Sequence, residues 1–511
     1  MDPRTRLLLE GPIIGTLLRL GAPNMLVMLA QASAGLIETY FVGQLGTDAL
    51  TGMALVFPLV MLMQMTSAGA MGGGIASAVA RALGARRRDD ANALVMHAML
   101  IALVFGLFFT AAAFVGGRAL YTQMGGSGAS LDAALTYSNW VFAGAILVWV
   151  FNSMASLIRG TGNMRVPAIV TVVGTLLLVP MSQVFIFGWG SVPGLGIAGG
   201  ALALLAYYAL GCVALGLYLA SRHSLLKPTL AHLRIRWVLL ADILKIGLVG
   251  TISTLATNLS IGIATGLVGS FGTAAIAGYG TASRLEYLLV PLVFGMGGPL
   301  VAMVGTCIGA GQRERALRAA WIGSGMAAAV AELVGLAAFL WPHAWLTLFG
   351  HEPEMLAAGT LYLHTVAPFY GFFGLALALY FASQGAGKLM WPVWGNIGRL
   401  LVAGLGGWLA LQAGLGLAGV FVTQAAGLVV YSVVNASAIM AGAWFGPVRW
   451  RRANAGQSKE GRCWHHSALT KERQGDRHAQ HTNQPHHPRR PARWRRRHAS
   501  RRPASRRARP G

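Results

Sequence analysis

Three carboxylates lie inside runs otherwise apolar enough to sit in lipid: Glu38, Glu286 and Glu332. An ionised carboxylate in hydrocarbon is costly, so an acid at that depth is by default a functional candidate. Its natural chemistry is to gain and lose a cation, a proton foremost. Glu38 is the leading site, with Ser182 as a further oxygen; the alternative is a carboxyl satisfied by Ser33, Thr39 or a backbone carbonyl. Glu286 lies two residues from Arg284, so the two do not share a helix face. It is expected to pair across helices, with Arg399 or Lys245, and both a structural ion pair and a role in coupling or substrate attraction stay open. Glu332 stands alone and either snorkels or faces a central cavity. His364 can titrate near neutrality or pack as a hydrogen-bonded ring. Met61, Met65, Tyr207, Phe369, Tyr370, Phe373 and Tyr380 could line a cavity for flat cations, because ring faces attract cations and methionine adapts its shape. Ordinary helix packing is their other reading. Cys212, Cys307 and Cys463 stand far apart, so no disulfide framework or metal spacing follows, and no catalytic group is expected.

These residues need a scaffold that keeps them in a membrane. The chain has 511 residues, 55% hydrophobic and 11% charged, where a soluble domain carries about 25% charged residues. Apolar runs of twenty or more recur from Ile13 to Phe445, long enough to cross a hydrocarbon core of about 30 Å. Such runs must be helices, since each backbone polar group needs an internal partner. Twelve spans are expected, near 13–42, 50–80, 92–116, 134–158, 166–188, 195–220, 241–269, 276–308, 316–341, 356–383, 392–412 and 416–445. Pro23, Pro58, Pro180, Pro291 and Pro299 fall inside spans and are expected to kink them.

Lys and Arg set the orientation. Arg81, Arg86, Arg87, Arg88, Arg159, Arg165, Arg222, Lys227, Arg234, Arg236, Arg313, Arg315, Arg318 and Lys388 fall in one set of connections. The alternate set holds Arg118 but also Asp48, Asp132, Glu352 and Glu354. Both termini are therefore expected in the cytoplasm. The formal charge of +24 is mainly a tail property: from Arg449 onward 19 Lys+Arg and 3 Asp+Glu give +16. That tail lacks apolar periodicity and is expected to be disordered, without specific nucleic-acid binding.

The chain also repeats itself. Gly84-Ala85 matches Gly309-Ala310, Gly160-x-Gly162 matches Gly385-x-Gly387 and Pro167 matches Pro392, all 225 residues apart. Val42-Gly43 and Gly46-Thr47 return as Val268-Gly269 and Gly272-Thr273, while Ala264 stands where the second copy would put Glu38. Parallel repeats of this kind hold substrate between their halves and rock around it. The expected organisation is an amino-terminal lobe at 1–220, a cytoplasmic linker at 221–240, a carboxyl-terminal lobe at 241–445 and the tail at 446–511.

Four motifs carry a resemblance: Glu38-Thr-Tyr-Phe-Val-Gly-Gln-Leu-Gly46, Arg159-Gly-Thr-Gly-Asn-Met-Arg165-Val-Pro167, Gly278-Tyr-Gly-Thr-Ala-Ser-Arg284-Leu-Glu286 and Val304-Gly-Thr-Cys-Ile-Gly-Ala-Gly-Gln-Arg313. In this order, over about residues 13–445, the chain resembles the prokaryotic multidrug and toxic compound extrusion (MATE) transporters. The resemblance implies an all-α, twelve-helix, two-lobed exporter of cationic amphipathic compounds in the bacterial inner membrane, without cofactor, and a monomer is expected. It also implies an amino-terminal acid helped by polar groups in spans five and six. Here those positions fall on Leu178, Ser182 and Leu204, which favours protons over sodium as the coupling ion. Sodium coupling, a flippase for a lipid-linked precursor and an adaptor acting through the tail are the competing readings.

Overall fold

The computed structural model describes residues 2–190, 192–227 and 235–445. The expected tail at 446–511 and residues 228–234 of the expected linker lie outside the described residues. The first half runs α1 (Pro3–Glu10), α2 (Ile13–Gly43), α3 (Thr47–Gln64), a π-helical stretch (Met65–Met71), α4 (Gly72–Gly84), α5 (Arg88–Gln123), α6 (Gly128–Ala143), α7 (Ala145–Gly160), α8 (Arg165–Phe187), a small hairpin of β1 (Gly188–Trp189) and β2 (Val192–Pro193), and α9 (Ile197–Ala220). The second half runs α10 (Trp237–Gly269), α11 (Thr273–Gly309), α12 (Arg313–Leu340), α13 (Pro342–Leu346), α14 (Pro353–Val366), a 3-10 turn (Ala367–Phe369), α15 (Tyr370–Ala386), α16 (Met390–Gln412) and α17 (Gly416–Met440).

These helices make the twelve expected passes. Ten are long and apolar enough to cross a membrane, and the α6–α7 pair, bent by 47°, makes an eleventh. The twelfth, α16, has 23 residues but carries Asn396 and Arg399 among its apolar text. The five prolines all lie inside helices. The short helix α1 was not foreseen. Asp2 caps it, and its end is gripped by Arg315, which donates to the carbonyls of Leu8 at 3.0 Å and Gly11 at 2.5 Å.

The sequence repeat is a repeat of turns. Gly46 and Gly272 adopt φ of 113° and 104°, and Gly162 and Gly387 adopt 79° and 73°. This is backbone that glycine enters without a Cβ penalty. Burial follows the halves as well. One buried cluster joins residues between Ala34 and Ile243, a second joins Ala264 to Leu428, and a third mixes both halves around Leu17, Ala76, Leu300 and Phe381.

That third cluster is where the lobes meet, on the side of the basic turns. Small residues let the helices touch there: a Cβ on Gly84 would fall on the backbone of Thr306, and one on Gly309 on the backbone of Arg81. Ser77 donates to the carbonyls of Gln384 and Gly385 at 2.5 and 3.0 Å, and Arg81 pairs with Asp242 at 2.7 Å. Gln384 in turn donates to the carbonyl of Gly69, inside the π-helical stretch, at 3.2 Å. Toward the opposite side the last described hydrogen-bond contact between halves is a long one, Asn258 to the Met65 sulfur at 4.0 Å. The described polar contacts between the halves thus gather on the basic side.

One junction contact has a cause legible in covalent structure. Pro299 has no N–H, so the carbonyl of Gly295, four residues earlier, loses its helical donor. Asn24 supplies the replacement from α2, donating to Gly295 and Phe294 at 3.0 Å each. Asn24→Leu should leave that buried carbonyl unpaired and cost about 1–3 kcal/mol, seen as a lower melting temperature of the detergent-purified protein. Adding Pro299→Ala restores the helical donor and should recover most of the loss; two losses that simply add would refute the assignment.

Candidate functional site

Glu38 sits on α2, on the face turned toward α6, α8 and α9, and is 5% exposed. Its partner is the hydroxyl of Tyr137 on α6. Ser33 and Thr39, the partners weighed from the sequence, instead donate to the carbonyls of Leu29 and Gly35, at 2.9 and 2.8 Å. Ser182 is fully buried, and its hydroxyl completes no hydrogen bond. Leu178 and Leu204 are buried apolar side chains. The carboxyl group is thus held by one phenol, with a second, Tyr208, in electrostatic reach, and it makes no ion pair among the described residues. A hard metal cation, which takes several oxygens, finds few here, and the described residues form no cluster of three His, Cys, Asp or Glu.

Behind the phenol lies a chain of polar contacts. Gln64, the last residue of α3, donates to the Tyr208 hydroxyl. Asn152 on α7 donates to Gln64 at 3.2 Å and to Ser67 at 2.9 Å. This chain ends on the π-helical stretch, a feature that recurs at functional sites. Tyr207 packs face-to-edge against Tyr208, with ring centroids 4.9 Å apart, and against Phe151 at 5.8 Å.

The second half holds Glu286 on α11, partly exposed, accepting from the Tyr362 hydroxyl of α14. Arg399 of α16 acts on it electrostatically but closes no ion pair, and Lys245 makes none among the described residues. Arg284 points elsewhere, 5.7 Å from the Phe349 ring. Glu332 accepts from the backbone N–H of Gly371 at 2.7 Å. Gly371 lies in the first turn of α15, where an N–H has no helical partner. His364 is exposed and lies against Phe339, 5.1 Å between ring centroids.

Of the residues expected to line a cavity, Met65 is exposed while Met61 and Phe369 are half-buried. Tyr207, Tyr370 and Phe373 are buried within the lobes, and Tyr380 is buried in the cluster where the lobes meet. Tyr137, Gln64, Asn152 and Tyr362 were missed from the sequence. A signal for two of them was available: Tyr137 and Tyr362 stand 225 residues apart, the offset of the glycine motifs.

The MatE family model matches residues 23–184 and 251–409. A FAD transporter of Shewanella oneidensis is 25% identical over 421 residues, 80% of this chain and 92% of that protein. A probable multidrug resistance protein NorM of Deinococcus radiodurans is 28% identical over 452 residues, covering 80% and 96%. Among solved structures, a MATE crystal structure in the bent conformation superposes with a TM-score of 0.78 at 23% identity, covering 85% of this chain and 96% of that one. A transporter from Pyrococcus furiosus, whose description reports reverse polarity of its binding pocket, gives 0.77 at 23% identity, covering 86% and 99%. At that identity the structures speak for the fold. The family match spans more than half of the chain, over the same helices that carry Glu38, Ser182 and Glu286. The chain belongs to the MatE family, the multidrug and toxic compound extrusion transporters, and is a multi-pass membrane transporter rather than an enzyme.

Proposed function

We propose that the protein exports cationic amphipathic compounds in exchange for protons, across the bacterial inner membrane, with both termini in the cytoplasm. The observation that carries this reading is Glu38: a buried carboxyl group held by one phenol, without a neighbouring cation and short of oxygens for sodium. The basic turns support this sidedness, because cytoplasmic connections carry an excess of Lys and Arg. With that assignment, the side that gathers the polar contacts between the lobes is cytoplasmic, which supports a stage of alternating access closed toward the cytoplasm. Cargo enters from the cytoplasm, the lobes turn outward, Glu38 takes a proton and cargo leaves; the reset delivers the proton inside. A monomer suffices for this cycle, and a basic tail is not required by it. The relative described as a FAD transporter favours a second reading, in which the cargo is a flat aromatic anion.

Transport in everted vesicles separates these readings. An imposed pH gradient should drive ethidium uptake and a sodium gradient alone should not; the reverse would exchange the coupling ion. FAD uptake without ethidium uptake would favour the second reading. Glu38→Gln should lower the initial rate at least tenfold, and a rate near that of the parent would remove Glu38 from the cycle. Tyr137→Phe deletes one hydrogen bond to a charged group, worth about 1.5–3 kcal/mol, so a loss of about ten- to a hundredfold is expected. Glu332 separates coupling from structure. Glu332→Gln still accepts from Gly371 and should transport, whereas Glu332→Leu should melt several degrees lower.

A further inference from the structure

The two halves contain the same acid–phenol pair, built differently. Tyr137 and Tyr362 occupy matching places in the repeat, and each donates its hydroxyl to a carboxylate. The acids do not match. Glu38 comes from the first pass of its half and Glu286 from the second pass of its own. The repeat sets Ala264 opposite Glu38, at an offset of 226, and Met61 opposite Glu286, at 225. An apolar residue thus stands wherever the other half has its acid, while the phenol stands in both.

The surroundings differ in charge and access. Among the described residues nothing cationic acts on Glu38, which is 5% exposed. Glu286 is partly exposed and has a guanidinium in electrostatic reach. That guanidinium, Arg399, lies 5.6 Å from the centre of the Phe373 ring. Beside them Tyr370 is fully buried; its hydroxyl comes close to Tyr362 but completes no hydrogen bond. The groups facing Glu286 are Tyr279 on its own helix, Tyr362 on α14, Tyr370 on α15 and Arg399 on α16, with the Phe421 ring of α17 beyond Tyr362. Glu332 is occupied at Gly371.

We propose that Glu286 is the carboxylate that receives the ammonium group of the cargo, with Arg399 as the counter-charge it holds while empty, and that the proton is exchanged at Glu38. This rests on the cation-export reading. A carboxylate whose counter-ion stands off can trade that ion for another at little change in local charge. A carboxylate with no cation beside it changes the local charge when it ionises and is suited to carrying a proton. The ring of Phe373, which already faces the Arg399 guanidinium at 5.6 Å, gives a cationic cargo an aromatic face.

Equilibrium binding of ethidium to the purified full-length protein, without any gradient, tests the assignment. Glu286→Gln should weaken binding at least tenfold, and at saturating dye should release as many protons per dye as the parent, read with a pH indicator. Arg399→Gln leaves Glu286 without its counter-charge, so a proton takes that place when the site is empty. The slope of log Kd against pH should then steepen by up to one proton per dye, and Arg399→Lys should restore the parent slope. Should Glu286→Gln not fold, Glu286→Asp and the Arg399 slope carry the test. Glu286→Gln with parental affinity overturns the assignment. So does parental affinity with one proton fewer released, which makes Glu286 a second proton site. A parent that binds no cationic dye overturns the export reading, and this assignment with it.

Discussion

A phenol donating to a carboxyl group between α2 and α6 is the contact around which the amino-terminal half is arranged. In hydrocarbon an ionised carboxylate suffers a desolvation penalty of several kcal/mol, which one hydrogen bond offsets only in part. The state of the Glu38 proton therefore weighs more than any single packing contact nearby. The contact is also not isolated. Tyr208 lies in electrostatic reach of Glu38, Gln64 holds Tyr208, and Asn152 holds both Gln64 and Ser67. Ser67 belongs to the π-helical stretch whose Gly69 carbonyl is taken by Gln384 from the other lobe. Hydrogen-bonded groups thus run from Tyr208, in electrostatic reach of the acid, to the lobe junction. That is a path of contact, and coupling along it is a separate matter of measurement.

The junction itself suits a surface that must open and close. Its closest approaches are glycine against backbone, and its polar contacts are mainly side chains reaching carbonyls. The direct ion pair between α4 and α10, Arg81–Asp242, is half-exposed on the acidic partner. Such a pair contributes about 0–1 kcal/mol. No single strong interaction locks the lobes together at this surface among the described residues. Asn24 is the exception in kind, because it fills a vacancy that Pro299 creates inside α11. A helix with two internal prolines gives up its own bonds and takes replacements from its neighbours, so its stability is shared across the junction.

Much of the framework was legible in the sequence. Hydrophobic length gave twelve passes, and the matched glycines gave the repeat, because left-handed turns leave a residue-type signature. Among the described spans α16, diluted by Asn396 and Arg399, falls below the composition of an ordinary one, yet its apolar run is still legible near 392–412. The site was less legible. Glu38 stands out because a charge in lipid is rare, but Tyr137 is one of twelve tyrosines in the chain, and nothing local marks it. Glu332 shows the converse difficulty. A lone acid in a span looks functional, yet its partner is a backbone N–H exposed by the break between α14 and α15, and a break of that sort has no one-residue signal. Asn24 was missed for a related reason, since its meaning depends on a proline 275 residues away.

The charge carried by the proposed exchange follows from how many acids lack a counter-ion. One proton traded for one monovalent cation moves no net charge, so the membrane potential does no work on the exchange. The pH difference alone then acts, at about 1.4 kcal/mol per unit, enough to hold cargo about tenfold more concentrated outside per unit of pH. A second exchanged proton would add about 2.3 kcal/mol per 100 mV. The structure holds two acid–phenol pairs, but the carboxylate in one of them already has Arg399 in electrostatic reach. If that guanidinium is displaced by cargo and returns when cargo leaves, Glu286 moves no net charge through the cycle. A chain with one uncompensated acid then exports a monovalent cation without drawing on the potential, and a dication only against it, at about 2.3 kcal/mol per 100 mV. Cargo valence, rather than cargo shape, becomes the variable that decides how steep a gradient this protein can sustain.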